Sequence, residues 1–450
     1  MKKLAPLLAT LVIPTAALAT NVAVVDSGTF FAHEKIRDHV WTNPGEIDGN
    51  MVDDDHNGKV DDIHGWNFAE NLPKVFYPEH ISDFSDGSVF KIFHLLAKIQ
   101  AKKVTPEEKE WWKEHIQNLP KPQKDALLGK LNYYGQYAHS THVSGIIAMG
   151  NPAAKIMSAR IFPDTQLPAS AANTEGLIYE ALAALSNKQF AEVAHYLHET
   201  KMPVANYSVG VPMSQIAKNA MGIMGNKNPT PEQIATESKR AFEAFERQGK
   251  QWIASAPETL FVIAAANDGA DNAILPVFPA NIHADNAITV AATDGYLSLA
   301  DFSNWDTNTV QVAAPGVAIV SSVPGPTATE MVPMSGTSMA APFVSMVASS
   351  LKEANVGLTP IEMRSILIGT VDKKAWLATK VSSSGIVNKD RAVRAATLAS
   401  TMTLDAAIQQ ARTEIADMPE VGSSVDFNPT ETATVEPTRE MLNWAQKLAQ

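Results

Sequence analysis

The sequence predicts an α/β protein, a three-layer sandwich in which helices flank both faces of a mostly parallel central sheet. Short apolar runs rich in valine, isoleucine and alanine alternate along the chain with longer segments of helical periodicity. Apolar runs of this length are typical of strands that are covered on both faces. Alternating strands and helices indicate a parallel sheet with helical crossovers. The predicted strands are residues 22–25, 156–161, 204–206, 260–265 and 287–292, and the clearest helices are 174–185 and 231–254.

The composition excludes several classes of protein. With 450 residues and 45% apolar content, the chain can bury a large core, so disorder is not the expected state. A formal net charge of −12 and the lack of a long basic run argue against nucleic-acid binding, because an acidic surface repels phosphates. The chain has no cysteine, which excludes a disulfide framework and a thiol nucleophile.

The N-terminus has the features of a secretory signal peptide. Two lysines follow Met1, the stretch from there to Ala19 is uncharged and mostly apolar, and Ala17-Leu18-Ala19 has the form of a cleavage site. The alternative is a membrane anchor, but this stretch is short for a span and contains Pro6 and Pro14. We therefore expect a signal peptide over 1–19, export to the extracellular space, periplasm or cell surface, and no stable membrane insertion after cleavage.

The rest of the chain divides into one large domain and an extension. We place the domain at residues 20–400, with two polar, helix-prone insertions at about 69–136 and 211–255. Composition shifts near residue 400, and a segment rich in proline, threonine, serine and acids predicts a partly flexible C-terminal extension over 401–450.

Three short segments carry residues suited to nucleophilic catalysis. Asp26 directly follows a predicted buried strand, His139 opens a helical pattern, and Ser338 lies in a turn of small residues that leads into a helix. A serine hydroxyl becomes a strong nucleophile when an imidazole takes its proton and a buried carboxylate orients that imidazole. Gly336 permits a tight turn and Pro342 is tolerated in the first turn of the following helix. Taken singly, each residue has an ordinary structural explanation; their joint occurrence favours a catalytic triad.

The order Asp, His, Ser is that of subtilisin, and residues 336–342 match the nucleophile motif of that family. The sequence therefore resembles the subtilisin-like serine proteases over roughly residues 20–400, apart from the two insertions. The resemblance implies a subtilisin-like parallel sheet and a secreted serine endopeptidase that cleaves polypeptide substrates through an acyl-enzyme. We expect a monomer without an organic cofactor.

The same resemblance implies further site residues. Asn267 matches the side chain that donates to the oxyanion, the alternative being a turn asparagine before Gly269. The segment Ser208, Val209 and Gly210 matches the edge that pairs with an extended substrate. The side-chain pocket before the scissile bond is expected to have Ala265 in its wall and Val277 at its floor, and to favour small or medium apolar residues.

The chain departs from the family at three places. Ser140 and Ala266 stand where relatives have glycine, after the catalytic histidine and before the oxyanion asparagine. The usual prosegment has no room between residue 19 and Asp26, so we expect none there. Both replacements are small residues, so we expect the site geometry to be kept.

An aspartate-rich loop predicts a structural calcium site. Asp53, Asp55, Asn57 and Asp61 occupy positions one, three, five and nine of an EF-hand-like spacing, and a glycine stands at six. The twelfth position is His64, so the bidentate closing ligand is missing. The alternative is a metal-free acidic turn.

Two other functions stay open at this point. A catalytically weak binding protein could use the insertions as a partner surface, although it would not need a full triad and Asn267. A non-peptidase acyl hydrolase is disfavoured because the Gly-x-Ser-x-Gly elbow is absent around Ser338.

Overall fold

The computed structural model describes residues 20–85, 87–164, 178–422 and 441. The predicted signal peptide and nearly all of the chain after residue 422 lie outside these residues. The strands are β1 Thr20–Asp26, β2 Gly65–Asn67, β3 Ala154–Arg160, β4 Val204–Tyr207, β5 Val211–Pro212, β6 Leu260–Ala264, β7 Val277–Phe278, β8 Ala287–Asp294, β9 Ser298–Leu299, β10 Val312–Pro315, β11 Ile319–Ser322, β12 Met331–Met334, β13 Asp372–Lys373 and β14 Gly385–Ile386.

The α-helices are interspersed among these strands. They are α1 Ser88–Gln100, α2 Pro106–Trp112, α3 Lys121–Gly150, α4 Ile178–Glu199, α5 Met213–Ile223, α6 Pro231–Ala254, α7 Thr337–Ala354, α8 Pro360–Gly369, α9 Lys389–Leu398 and α10 Leu404–Glu414. A π-helical segment, Lys113–Gln117, follows α2. Within the described ranges, no helix combines the length and apolarity needed to cross a bilayer.

The central sheet has the strand order β13-β14-β10-β8-β6-β4-β1-β3-β2, with β9 paired to β8. Only the β13–β14 and β8–β9 pairs are antiparallel; every other neighbour pair is parallel. The chain continues from β1 to one side and later returns to its other side as β4, so the order reverses at β1. Crevices at such a reversal, outside the carboxyl ends of the strands, are where α/β sheets bind ligands.

Alternate residues of each central strand face two separate cores. In β1, Val22 and Val24 face one core, whereas Ala23 and Val25 face the other, and all four are fully buried. Helices α3, α7 and α9 contribute to the first core and helices α4 and α6 to the second. The predicted α/β sandwich with a mostly parallel sheet is confirmed, and the two-sided burial explains why the strands are apolar at nearly every position.

The first insertion is continuous with the helix that carries His139. It contains α1, α2 and the N-terminal half of α3, which begins at Lys121 rather than near the histidine. His139 therefore lies inside a helix, about five turns from its start. The expectation that His139 opens a helix is wrong, because no helix-breaking residue separates the end of the insertion from the histidine.

The second insertion is only partly an addition to the surface. Helix α6 begins with a capping box between Thr230 and Gln233, and it buries Phe245 and Trp252 in the second core. It therefore forms part of the layer that covers the sheet. Helix α5 is the part that borders the cleft described below.

The segment after residue 400 packs on the domain as far as it is described. Helix α10 lies against α9, and Arg391 pairs with the buried Asp372 and with the exposed Asp417. The amide of Tyr296 donates to the carbonyl of Val421. The boundary that composition predicts at residue 400 thus does not coincide with a break in packing.

Candidate active site

Asp26 and His139 form a close, sheltered pair at the carboxyl end of β1. The imidazole Nδ1 lies 2.9 Å from each carboxylate oxygen, and the Ser27 amide donates to Oδ1 at 2.6 Å. The Asp26 side chain is 1% exposed and that of His139 is 26% exposed. Burial lowers the pKa of His139, but the charge of Asp26 and its hydrogen bond outweigh burial, so the pKa lies above its usual value. The carboxylate therefore fixes the proton on Nδ1 and leaves Nε2 to accept another.

The neighbouring histidine has a structural place. His142 is fully buried one turn along α3, and its Nε2 donates to the Val332 carbonyl at 3.0 Å. Burial lowers its pKa to about 3, so it stays neutral at ordinary pH. The hydrogen bond ties the catalytic helix to β12, the strand that leads to the nucleophile.

Ser140, which replaces a glycine of the family, takes part in a buried hydroxyl network. Its Oγ lies 3.0 Å from Thr29 Oγ1, which lies 2.8 Å from Ser144 Oγ. Its amide donates to Ser27 Oγ. These bonds join α3 to the segment after β1 and so hold His139 beside Asp26.

Ser338 lies in the first turn of α7, directly after Gly336 and Thr337. Its Oγ donates to the Ser208 carbonyl at 3.3 Å, and Ser208 Oγ donates to the Ser338 carbonyl at 2.8 Å. Among the hydrogen bonds of the described residues, none joins Ser338 Oγ to His139. The Ser338 hydroxyl is therefore directed at the Ser208 carbonyl rather than at His139.

Asn267 is oriented by the turn that carries the nucleophile. Its Oδ1 accepts from the Thr337 amide at 2.8 Å and from Thr337 Oγ1 at 3.0 Å. These two bonds fix the orientation of the Asn267 side chain beside the turn that carries Ser338. The residue before it, Ala266, has a φ of 87°, a conformation that favours glycine and strains any other residue. Its amide donates to Thr337 Oγ1, which helps to hold this conformation.

These residues border one cleft of about 980 Å³. Asp26, His139, Ser338 and Asn267 all line it, and so do Ser208, Val209 and Gly210. The predicted catalytic residues and the predicted substrate edge therefore meet at the carboxyl ends of β1, β4 and β6.

Two residues of the expected side-chain pocket lie elsewhere. Ala265 is fully buried in a third apolar cluster, and its neighbours Ala264 and Ala266 line the cleft instead, since successive residues of an extended segment point to opposite sides. Val277 packs in the second core behind Gly210. Its Cγ1 lies 3.1 Å from the point that a Cβ would occupy if residue 210 had a side chain. The predicted positions of both residues are therefore wrong, because neither Ala265 nor Val277 borders the cleft.

One wall of this cleft is formed by the first insertion, which the sequence motifs did not predict. Helix α1 contributes Phe93, Leu96 and Ala97, and the N-terminal half of α3 contributes Leu131 and Gly135. The helical spacing of these apolar residues predicts a buried face but not what that face covers. The second insertion adds Pro212, Ser214, Gln215 and Lys218 at the rim.

The acidic loop forms a carboxylate cluster that differs from the predicted ligand set. Asp53 accepts from the amides of Asn57 and Gly58, and Asp61 accepts from the amides of Gly49 and Met51. Both carboxylates therefore stabilise turns of the loop. The four predicted ligands do not assemble as one set.

The cluster consists of Glu46, Asp55 and Asp62, whose ligand atoms lie within 4.8 Å of one another. Asn43 donates to Asp55 and Asp62 at 2.9 Å, and Tyr196 donates to Asp62 at 2.5 Å. Burial raises the pKa of Asp62, although these hydrogen bonds lower it. Carboxylate oxygens are ligands that a hard cation such as Ca²⁺ prefers.

One cleft thus holds a carboxylate, an imidazole and a serine hydroxyl at the carboxyl ends of a parallel sheet that is covered on both faces. A model of the subtilase family, peptidase family S8, matches residues 19–390. The chain belongs to the subtilase family.

Characterised relatives are similar over part of the chain. Subtilisin Savinase of Lederbergia lenta is 28% identical over 260 residues, which are 57% of this chain and 77% of that protein. An alkaline protease of Alkalihalobacillus alcalophilus is 27% identical over 259 residues, 57% of this chain and 55% of that protein. The match thus spans about half the length of the second relative. The solved structure of a lanthipeptide protease is 14% identical, with a TM-score of 0.49 over 83% of this chain and 86% of that chain.

Proposed function

We propose that this protein is an exported serine endopeptidase that hydrolyses peptide bonds through an acyl-enzyme intermediate. The observation that carries the proposal is the buried Asp26 carboxylate bonded to His139 Nδ1, in the same cleft as Ser338 and Asn267. A binding protein has no use for an imidazole held in one tautomer beside a serine at a helix N-terminus. Export rests on the lysine-led apolar N-terminus and the small residues that end it.

Substrate binding would prepare the nucleophile. The acyl half of an extended peptide pairs with the edge Ser208–Gly210, whose Ser208 carbonyl is the present acceptor of the Ser338 hydroxyl. A substrate N–H that takes this carbonyl releases the hydroxyl to rotate toward His139 Nε2. Binding and activation of Ser338 are therefore coupled through one acceptor atom.

The chemical steps then follow from the residues present. Ser338 Oγ attacks the scissile carbonyl carbon while its proton passes to His139 Nε2, and Asp26 stabilises the imidazolium. The amide of Asn267 and the Ser338 N–H donate to the tetrahedral oxyanion. The imidazolium gives its proton to the departing amine as the C–N bond breaks. Water then attacks the acyl-enzyme, with His139 as base, and Ser338 is regenerated.

The proposal is tested by fluorophosphonate labelling and casein hydrolysis with the mature protein. We expect labelling of Ser338 in the wild type, and loss of both labelling and casein cleavage to background in Ser338→Ala, with unchanged thermal unfolding. Ser365→Ala changes a half-buried helical serine far from the cleft residues, serves as the matched control and should behave like the wild type. Full casein turnover in Ser338→Ala would contradict the proposal, and ester turnover without casein turnover would indicate a non-peptidase hydrolase.

The side chain before the scissile bond is proposed to be small or medium and apolar. Ala264, Ala266 and Gly210 border the cleft beside Ser338, and Val277 packs behind Gly210. A charged side chain would lose its hydration there without a buried partner. A peptide library analysed by mass spectrometry should therefore give few cuts after lysine or arginine, and a profile dominated by such cuts would refute this preference.

We further propose a structural calcium ion at Glu46, Asp55 and Asp62. The support is the convergence of three carboxylates, whose oxygens suit calcium, while the Asn43 NH₂ group holds Asp55 and Asp62 in place. A ligand that binds only the folded state stabilises it by roughly 2.7 kcal/mol at a hundredfold excess over its Kd. Chelation should therefore lower the Tm of the wild type, and Asp55→Asn should remove most of this difference. Asp48→Asn is the control in the same loop, and a Tm indifferent to chelation would favour a metal-free turn.

A further inference from the structure

The insertion-built side of the cleft is an apolar pocket. Phe93, Leu96 and Ala97 of α1 lie opposite Leu131 and Gly135 of α3, and all five line the cleft. Leu131 is 0% exposed and Ala97 is 2% exposed, and both belong to the first core, so the pocket is a narrow apolar recess at the edge of that core. We name these five residues the insertion pocket.

The insertion pocket continues into residues on either side of the nucleophile. Met334 ends β12, on which α1 packs, and Met339 directly follows Ser338. Both methionines line the same cleft, and both are largely buried. The pocket thus reaches the reacting serine through two flexible apolar side chains.

The substrate edge is built by the sheet rather than by the first insertion. Ser208–Gly210 follows β4 and is tied to Ser338 by two hydrogen bonds. The acyl half of a substrate occupies that edge, so the chain beyond the scissile bond must leave on the side of Met334 and Met339. The residue that follows the scissile bond therefore meets the insertion pocket.

The chemistry of the pocket limits which side chain fits there. Besides its apolar residues, the α1 and α3 wall presents the neutral amides of Gln100, Asn132 and Gln136 to the cleft. It presents no carboxylate and no lysine or arginine among the residues that line the cleft. A charged side chain would lose its hydration without gaining a partner, whereas a leucine or phenylalanine would bury apolar surface.

We propose that the insertion pocket selects substrates with a large apolar residue directly after the scissile bond. The inference rests on the proposed peptidase activity and assigns the leaving-group specificity of that site to the first insertion. The reverse of the acylation step, in which an amine attacks the acyl-enzyme, measures this specificity directly. An amino-acid amide in the pocket attacks the acyl-enzyme carbonyl, forming a C–N bond as the bond to Ser338 Oγ breaks. The amine proton passes to His139, which returns a proton to the serine.

The experiment follows the fate of an acyl-enzyme made from an N-acetyl peptide ester ending in alanine. Leucinamide, phenylalaninamide, glycinamide and aspartic acid amide compete with water, and chromatography gives the ratio of amide product to acid. We expect leucinamide and phenylalaninamide to capture the acyl group at least about tenfold better than glycinamide, and aspartic acid amide to capture it least. Equal capture by all four amines, with ester hydrolysis intact, overturns the inference alone. Absence of ester turnover and of fluorophosphonate labelling overturns the proposed function itself.

Variants locate the selectivity in the insertion. Ala97→Phe fills the pocket and should reduce the leucinamide-to-glycinamide capture ratio about fivefold or more. Ala126→Phe makes the same change on an exposed position of α3 outside the cleft and should leave the ratio at the wild-type value. Because a larger side chain at a buried site can impair folding, Leu96→Ala is the second variant. It enlarges the pocket and should shift preference from leucinamide toward phenylalaninamide. An unchanged ratio in a folded Ala97→Phe or Leu96→Ala protein refutes the pocket assignment.

Discussion

Strand ends and the loops that follow them build one side of the cleft, whereas inserted helices build the other. On the sheet side, Asp26 ends β1, Ser208 directly follows β4, and Asn267 lies shortly after β6. Backbone amides fix two of these side chains: Ser27 donates to Asp26 and Thr337 donates to Asn267. On the inserted side, α1 and α3 present mainly side-chain surface. The difference separates two tasks: the sheet side positions polar atoms for chemistry, and the inserted side shapes the space that a substrate occupies.

From this comparison we expect the largest losses of turnover when polar atoms on the sheet side are removed. Asp26→Asn removes the charge that stabilises the imidazolium, and turnover should fall by about 10⁴-fold with the fold retained. Asp268→Asn, which removes an exposed carboxylate from the same cleft, should have little effect. A comparable loss in both variants would mean that the general field of the cleft, rather than the pair with His139, sustains activity.

The same variant also gives a pH test. His139 acts as a base only when neutral, so activity rises with pH through its pKa, which Asp26 holds above the usual value despite burial. Without the carboxylate, the His139 titration should move to lower pH. NMR titration of His139 in the Ser338→Ala background, with and without Asp26→Asn, measures this shift. A shift in the opposite direction would contradict the role given to Asp26.

The next largest effect belongs to the oxyanion donor. Asn267→Leu should lower kcat by about 100- to 1,000-fold with little change in KM, which is the size that loss of this donor has in subtilisin. Asn132→Leu replaces an exposed asparagine on the inserted side of the same cleft, and ester hydrolysis should change little. If the two variants lose kcat equally, the division between a chemical side and a shaping side is wrong.

The smallest effect is expected where the inserted side is anchored. The buried Tyr134 hydroxyl donates to the Pro324 carbonyl at 2.9 Å, joining α3 to the β11–β12 hairpin. Tyr134→Phe should reduce the free energy of unfolding by about 1 kcal/mol without a loss of kcat. Tyr137→Phe breaks a bond to the Tyr77 carbonyl inside the insertion and is the matched comparison. Denaturant unfolding and ester kinetics on both proteins test this, and a large loss of kcat in Tyr134→Phe would show that the inserted side also positions the chemistry.

The sequence predicted the sheet side better than the inserted side for physical reasons. A carboxylate after a buried strand and a serine before a helix are local patterns, and parallel strands bring their carboxyl ends to one edge. The assignment of Ala265 to the pocket wall could have been avoided from the sequence. Side chains alternate along an extended segment, so Ala264 and Ala266 face the side opposite to Ala265. Helix α1 shows the opposite case: its apolar stripe predicted burial, but its partner surface on β12 is distant in sequence. Glu46 and Asp62 were not among the predicted ligands, because Glu46 approaches Asp62 through the folding of the loop rather than through a fixed spacing.

The continuity of α3 has an electrostatic consequence for His139. A helix carries partial positive charge at its N-terminus, and a protonated histidine there would be destabilised, with its pKa lowered. Because α3 begins at Lys121, its N-terminus lies roughly 27 Å from His139 along the axis, and the dipole acts mainly within the first turn. An engineered chain in which the helix began immediately before His139 would place the imidazolium at this positive end. The inserted half of α3 thus keeps His139 too far from the helix N-terminus for the macrodipole of α3 to lower its pKa.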